Sequence, residues 1–420
     1  MNSPRLLLLC AALLAPLPAA ALSLADAEQR MLAHDPALAA ARIALRGSQG
    51  DLVAAGRRPV AELELGTSKY SRIEGMGPGR VHDKRLDSTL GVGWTWERGG
   101  KRRLRMREAD AMVAASALDL ADAGRLQRLA LHEAYFGLKA AQETLAVATG
   151  NRALSADAMA AVEHQVRVGA QAPIARDRLL VEDLKLAAEL RDARLDLLDA
   201  QQTLALLIGH AGDVAALAAD DPWPAPDARP GPEPELDQVL ARRPDLRAAE
   251  RRLQAADAGR ELARSQRRRD LGLAIEAERE PTDVAGVTWG VSVSVPLNGP
   301  GHYRGEIARA EADYDLALLE QRQARSEALQ ALQHARRAWQ QASERLHDYQ
   351  TRLLPAATSA REGMELAYRR GAASLTDLLD ARRAAREAEI DLIEARIGHA
   401  VAQARWQAAI QTVPSDETTP

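Results

Sequence analysis

Asp377 and Asp380 stand three residues apart in "YRRGAASLTDLLDARR", a spacing that puts both carboxylates on one face of a helix. Like charges held close raise some of their pKa values and attract cations. A local reading is equally available: Ser374 caps the helix and Asp377, at its third position, completes the cap beside the positive helix end. Little else in the chain could do chemistry. The histidines, scattered from His34 to His399, form no H-x-x-x-H or H-E-x-x-H pair, so no metalloenzyme site is indicated. His82-Asp83 lies in a loop without further ligands near it and reads as a solvated pair. "GPGRVHDKR" has neither the glycine spacing nor the strand-to-helix setting of a phosphate loop. The sequence therefore predicts no catalytic site, no cofactor and no bound metal; the protein reads as a non-enzyme.

The elements that must carry the two acids are long. No proline occurs from Lys101 to Thr149 or from Tyr303 to Leu354, and runs of roughly 50 residues reach about 75 Å as helix, far beyond ordinary globular helices. Second long helices follow each run, Ile174 to Ile208 and Leu375 to Ile410. Composition agrees, with 46% hydrophobic and 27% charged residues but only 3% aromatics and a single phenylalanine, Phe136. Such a mix favours long helices over globular cores. A formal net charge of −4 gives no bulk case for nucleic acid, and basic runs such as Arg267 to Arg269 read as solvated faces.

The first 21 residues read as a signal peptide: Arg5, then an apolar stretch from Leu6 to Leu17, then Ala19-Ala20-Ala21 as the cleavage site. Cys10, the only cysteine, follows Leu9 rather than a small residue, so removal with the signal is favoured over acylation. No run of 18 apolar residues follows, which argues against a membrane-spanning helix.

Internal repetition organises the rest. "LADAEQRMLAHDPALAAAR" at Leu24 matches "LDQVLARRPDLRAAERR" at Leu236, with an offset of 208 from Pro36 to Pro244. The offset becomes 199 at Gly91 and Gly290, then 202 where "VRVGA" meets "YRRGA". Order kept across changing loops indicates tandem duplication: a first repeat over 22–219, a Pro-rich linker over 220–235, a second repeat over 236–412, and a tail over 413–420. Each repeat contains alternating segments. Leu86, Ser88, Leu90, Val92, Trp94 and Trp96 fall on one side of the first; Val287, Trp289, Val291, Val293 and Val295 fall on one side of the second. Their opposite sides are glycine, serine, threonine and acid, the pattern of strands with one apolar and one small polar face. "ELELGTSKYS" and "LGLAIEAERE" supply less regular partners. A membrane barrel must close, and four strands cannot close alone, so several chains would have to share one barrel.

The duplicated plan, the "G-[VS]-x-[WV]-[TS]-[WV]" strands leading to Gly99-Gly100-Lys101 and to Asn298-Gly299-Pro300-Gly301, and "YRRGAASLTDLLDARR" resemble the TolC-like outer membrane factor family over about Leu24 to Ile410. "WERGGKRR" and the short second hairpin are similar to its CzcC-like heavy-metal branch. The resemblance implies an α+β protomer of very long helices plus four strands, trimerising into a twelve-stranded outer-membrane barrel with a periplasmic helical tunnel. It implies as partners a homotrimer, a periplasmic adaptor, an inner-membrane RND pump and outer-membrane lipid. The apolar positions Leu90, Val92, Trp94, Trp96, Trp289, Val291, Val293 and Val295 would then face lipid. Asp377 and Asp380 would line the periplasmic constriction, six carboxylates in a trimer, because Ala175 and Arg178 occupy the equivalent positions of the first repeat. Asn298 departs from the family's usual Phe after the second strand's Pro-Leu, leaving Tyr70, Trp94, Trp96 and Trp289 as the aromatic belt. The function so implied is a passive exit duct, its cargo heavy-metal cations; a drug-efflux or type I secretion duct, or a periplasmic adaptor coiled-coil protein, are the alternatives.

Overall fold

The computed structural model describes residues 20–68, 87–226, 235–280, 286–299 and 301–412. Most of the signal segment, Tyr70, His82-Asp83, Leu86, part of the linker and the tail lie outside the described residues. In order come β1 (Ala20–Leu22), α1 (Leu24–His34), α2 (Pro36–Ala55), β2 (Glu62–Ser68), β3 (Asp87–Trp96), α3 (Lys101–Arg167), α4 (Pro173–Leu207) and β4 (Leu217–Ala219). The second half runs α5 (Leu236–Arg242), α6 (Pro244–Ser265), β5 (Leu271–Glu280), β6 (Gly286–Ser294), α7 (Arg304–Asp348), α8 (Leu354–Arg369) and α9 (Leu375–Ile410). Contacts divide these into two units: Met1–Ala40 with Ala121–Arg243 and Glu327–Pro420, and Ala41–Leu120 with Pro244–Ser326.

Local chemistry explains the boundaries. Ser23 caps α1 by accepting from the Asp26 amide, and the chain turns extended at Asp35, the residue ahead of Pro36. The same break occurs at Arg243, ahead of Pro244. Helix α3 runs 67 residues without interruption, past Thr149 and on to Arg167 within a stretch that has no proline before Pro173. Pro355 does not end its helix either. Tyr349–Leu353 forms a π-helical turn in which the Leu354 amide bonds to the Tyr349 carbonyl, and α8 then begins with the proline in its first turn, where a missing N–H costs nothing.

In the first unit, Met31, Leu131, Leu138, Leu204 and Ile208 bury their side chains around Tyr135. The Tyr135 hydroxyl donates to the Leu22 carbonyl at 2.8 Å and accepts from the Asp220 and Asp221 amides. These bonds hold a two-stranded parallel sheet, β1 on β4, that the sequence does not announce. A second cluster packs Leu332, Trp339, Ala402 and Trp406, the indoles stacked at 6.3 Å. His399 lies beside it, fully buried, with Nε2 accepting from Trp339 Nε1 at 3.4 Å. Its Nδ1 makes no hydrogen bond among the described residues.

Burial lowers the His399 pKa, so the folded chain keeps a neutral imidazole while the unfolded chain gains a proton as pH falls through about 6.5. Stability is thus lost on acidification. Relative to wild type, His399→Leu is expected to gain in melting temperature between pH 8 and pH 5.5. A gap that stays constant across that range would show that the imidazole does not titrate against burial.

The second unit holds an antiparallel sheet in the order β2-β3-β5-β6. Its register aligns Leu63, Val92, Ile275 and Val291 in one row and Leu65, Leu90, Ala277 and Trp289 in the next. Among the described residues β2 and β6 each have a neighbour on one side only.

Candidate functional site

Two turns of identical construction lead into α4 and α9. Gly169 and Gly371 adopt φ of +74° and +72°, and the following amides of Ala170 and Ala372 reach back five residues to the Gln165 and Ala367 carbonyls at 2.8 Å. Only glycine takes that left-handed conformation without steric cost. The turns stand 202 residues apart, the offset at which the repeats align.

At α9 both sequence readings of Asp377 meet the coordinates. Ser374 Oγ accepts from the Asp377 amide at 3.2 Å, while Asp377 Oδ2 accepts from the Ser374 amide at 3.1 Å, so the capping box is present. The hydrogen bonds from Ser374 lower the Asp377 pKa; in the single chain this exposed acid is held charged. Asp380 lies one turn on. Beside them α4 and α9 are joined, with Ala175 and Leu179 buried against Leu375 and Leu379 and Arg178 donating to Thr376 Oγ1 at 3.0 Å. Arg178 is the repeat equivalent of Asp380. Further along, Glu182 of α4 receives Arg383 and Arg386 of α9 at 3.4 and 3.1 Å, and Arg382 of α9 meets Glu365 of α8 at 3.1 Å. The helix ends are therefore tied by ion pairs as well as by this small apolar cluster.

In the sheet, strand geometry sorts the residues by face. Leu90, Val92, Trp94, Trp96, Trp289, Val291 and Val293 share one face with Leu63, Leu65 and Ile275. All seven are exposed, Trp289 by 73% and Val291 by 79%. Val295 falls one residue past the end of β6, where the backbone has left the ladder, although its side chain also remains exposed. The opposite face carries small residues and a row the sequence reading missed: Glu64, Gly91, Glu276 and Gly290 are aligned across all four strands. A side chain on Gly290 would fall 2.8 Å from Glu276 Oε1, so glycine leaves room for the acid to lie across it. "ELELG" and "IEAERE" hint at this alternation, but their alignment depends on register between distant strands.

Among the described residues no helix is long and apolar enough to cross a membrane, and no group of three or more His, Cys, Asp or Glu could hold a metal ion. The sheet thus has an apolar face turned to solvent and a small polar face behind it, and it is attached to helices of 45 and 67 residues. The family model described as outer membrane efflux protein matches residues 28–210 and 236–410. The chain belongs to that family.

This efflux protein is 26% identical over 294 residues to the cobalt-zinc-cadmium resistance protein CzcC of Cupriavidus metallidurans, covering 70% of each chain. It is 28% identical over 388 residues to the pyoverdine export outer membrane protein OpmQ of Pseudomonas putida, covering 85% of this chain and 78% of that one. Its fold matches the solved structure of CusC with a TM-score of 0.79 at 17% identity, covering 93% and 92% of the two chains. The efflux protein is thus an outer-membrane channel component of tripartite systems, with its helices in the periplasm, and not an enzyme. Its α+β protomer has the plan that trimerises into a shared barrel. A soluble adaptor is thereby set aside.

Proposed function

We propose that three copies of this chain close one barrel through their open strand edges and form a passive exit duct for heavy-metal cations. The observation that carries the duct is the two-faced sheet. Its apolar face, with Leu90, Val92, Trp94, Trp96, Trp289, Val291, Val293 and Val295, meets lipid, and its small polar face with Glu64 and Glu276 lines the lumen. Helices α4 and α9 form the periplasmic entrance, where Asp377 and Asp380 set the constriction. A periplasmic adaptor and an RND pump supply selection and energy.

The metal reading is supported by the likeness to CzcC and by acids on both proposed pore surfaces. Pyoverdine export is the second reading, favoured by the longer alignment with OpmQ. Deletion of the gene separates them: loss of growth on cobalt, zinc or cadmium, restored by the plasmid-borne chain, is expected, with pyoverdine secretion unchanged. The reverse pattern would replace the metal reading. The mature chain should also fractionate with the outer membrane as a heat-modifiable trimer; recovery as a soluble periplasmic monomer would overturn the duct itself.

A further inference from the structure

We propose that the strand-to-helix junctions form a basic girdle that binds the phosphate headgroups of anionic phospholipids in the periplasmic leaflet of the outer membrane. The inference rests on the sheet being the membrane wall and adds a lipid headgroup chemistry to it.

Antiparallel pairing brings all four junctions to one end of the sheet: Glu62 lies opposite Gly93, Trp96 opposite Leu271 and Gly272 opposite Ser294. Each junction is basic, with Arg57-Arg58 before β2, "ERGGKRR" after β3, "RRRD" before β5 and Arg304 after β6. The two acids among them are already engaged. Asp270 holds the buried Lys101 at 2.8 Å, and Glu97 holds Arg105. That leaves Arg58, Arg98, Arg103, Arg267, Arg268 and Arg304 exposed, none with an ion pair among the described residues.

Position along the face gives the excess charge its meaning. Outward from the Val92 row the apolar face passes Trp94 and Trp96, and the next residue of the same parity is Arg98. The ladders have ended by then, at Glu62 opposite Gly93 and at Trp96 opposite Leu271, and the Arg98 amide donates to Asp270 Oδ1 at 2.9 Å, which keeps Arg98 beside the "RRRD" junction. Exposed like charges gathered at these junctions repel, and an anion beside them relieves the repulsion. The order is apolar rows, then tryptophan, then arginine. It is the order of acyl chain, interface and phosphate across half a bilayer, and the guanidinium fork matches phosphate oxygens in pairs. An acidic soluble partner would not require this continuity with the apolar face.

The full-length trimer is reconstituted in mixtures of phosphatidylethanolamine and cardiolipin, and the lipid it retains is counted by native mass spectrometry. Wild type is expected to enrich cardiolipin about fivefold or more over its share of the mixture, the effect of a single basic residue near an anionic surface. Arg98→Gln with Arg103→Gln, Arg267→Gln and Arg268→Gln should abolish the enrichment, and the corresponding four lysine substitutions should keep at least half of it. Should the glutamine variant fail to assemble, the lysine variant and the collapse of wild-type enrichment at high salt decide the matter. Absence of enrichment in wild type, equal enrichment in the assembled glutamine variant, or displacement of the lipid by inorganic phosphate would each overturn the proposal. Failure of the underlying wall reading shows differently, as equal assembly of Val291→Arg and Ser292→Arg.

Discussion

Val291→Arg is expected to prevent accumulation of the trimer in the outer membrane, whereas Ser292→Arg, one residue along the same strand, is expected to assemble. Val291 lies in the row with Val92 and Ile275, between the Trp94 and Trp289 rows, and so near the middle of the apolar band. An arginine facing lipid at the midplane costs roughly 2–4 kcal/mol, repeated in each of three copies. Ser292 sits on the small polar face, where a long side chain meets water and changes only the bore. Heat-modifiable trimer in membrane fractions, measured for both variants at matched expression, tests the contrast. Equal defects would mean that the alternation does not divide lipid from lumen.

Asp377→Asn with Asp380→Asn should raise single-channel conductance and relieve block by divalent cations while leaving the trimer intact. The asparagine oxygen at 377 can still accept from Ser374, so the helix start is kept and only charge is removed. Asp377→Ala, which removes both, should also disturb the first turn of α9. If the acids serve capping alone, the double asparagine variant will behave as wild type in planar bilayers and the alanine variant will lose assembled trimer. Gating and capping are thereby separated by one atom's chemistry.

Much of this architecture is visible in the sequence because its signals are local. Period-two alternation reads Leu90, Val92, Trp94 and Trp96 onto one face, the Asp35-Pro36 step marks where α1 yields to α2, and "SLTD" contains the capping box. The misses have physical causes. Ala20–Leu22 and Leu217–Ala219 are too short to show a period, and the bonds that pair them come from Tyr135, more than a hundred residues from Leu22 along the chain. Pro355 looks like a helix stop, yet a π turn absorbs its missing hydrogen bond. The Glu64 and Glu276 row exists only once register joins strands from different repeats, and the ties of Glu182 to Arg383 and Arg386 likewise require two helices from different halves to meet.

The sheet's two outer strands carry a further consequence. Among the described residues β2 and β6 are each hydrogen-bonded on one side only, so a lone chain presents two unfinished ladders and an apolar face to water. That is a template for indiscriminate pairing. Completion of the fold is consequently a collision between molecules, and its rate depends on how many chains are present at once. At low synthesis the half-built wall waits; at high synthesis it competes with its own aggregation. Quality control of this protein therefore acts on a timescale set by gene dosage, and excess export is expected to yield aggregate before it yields more channel.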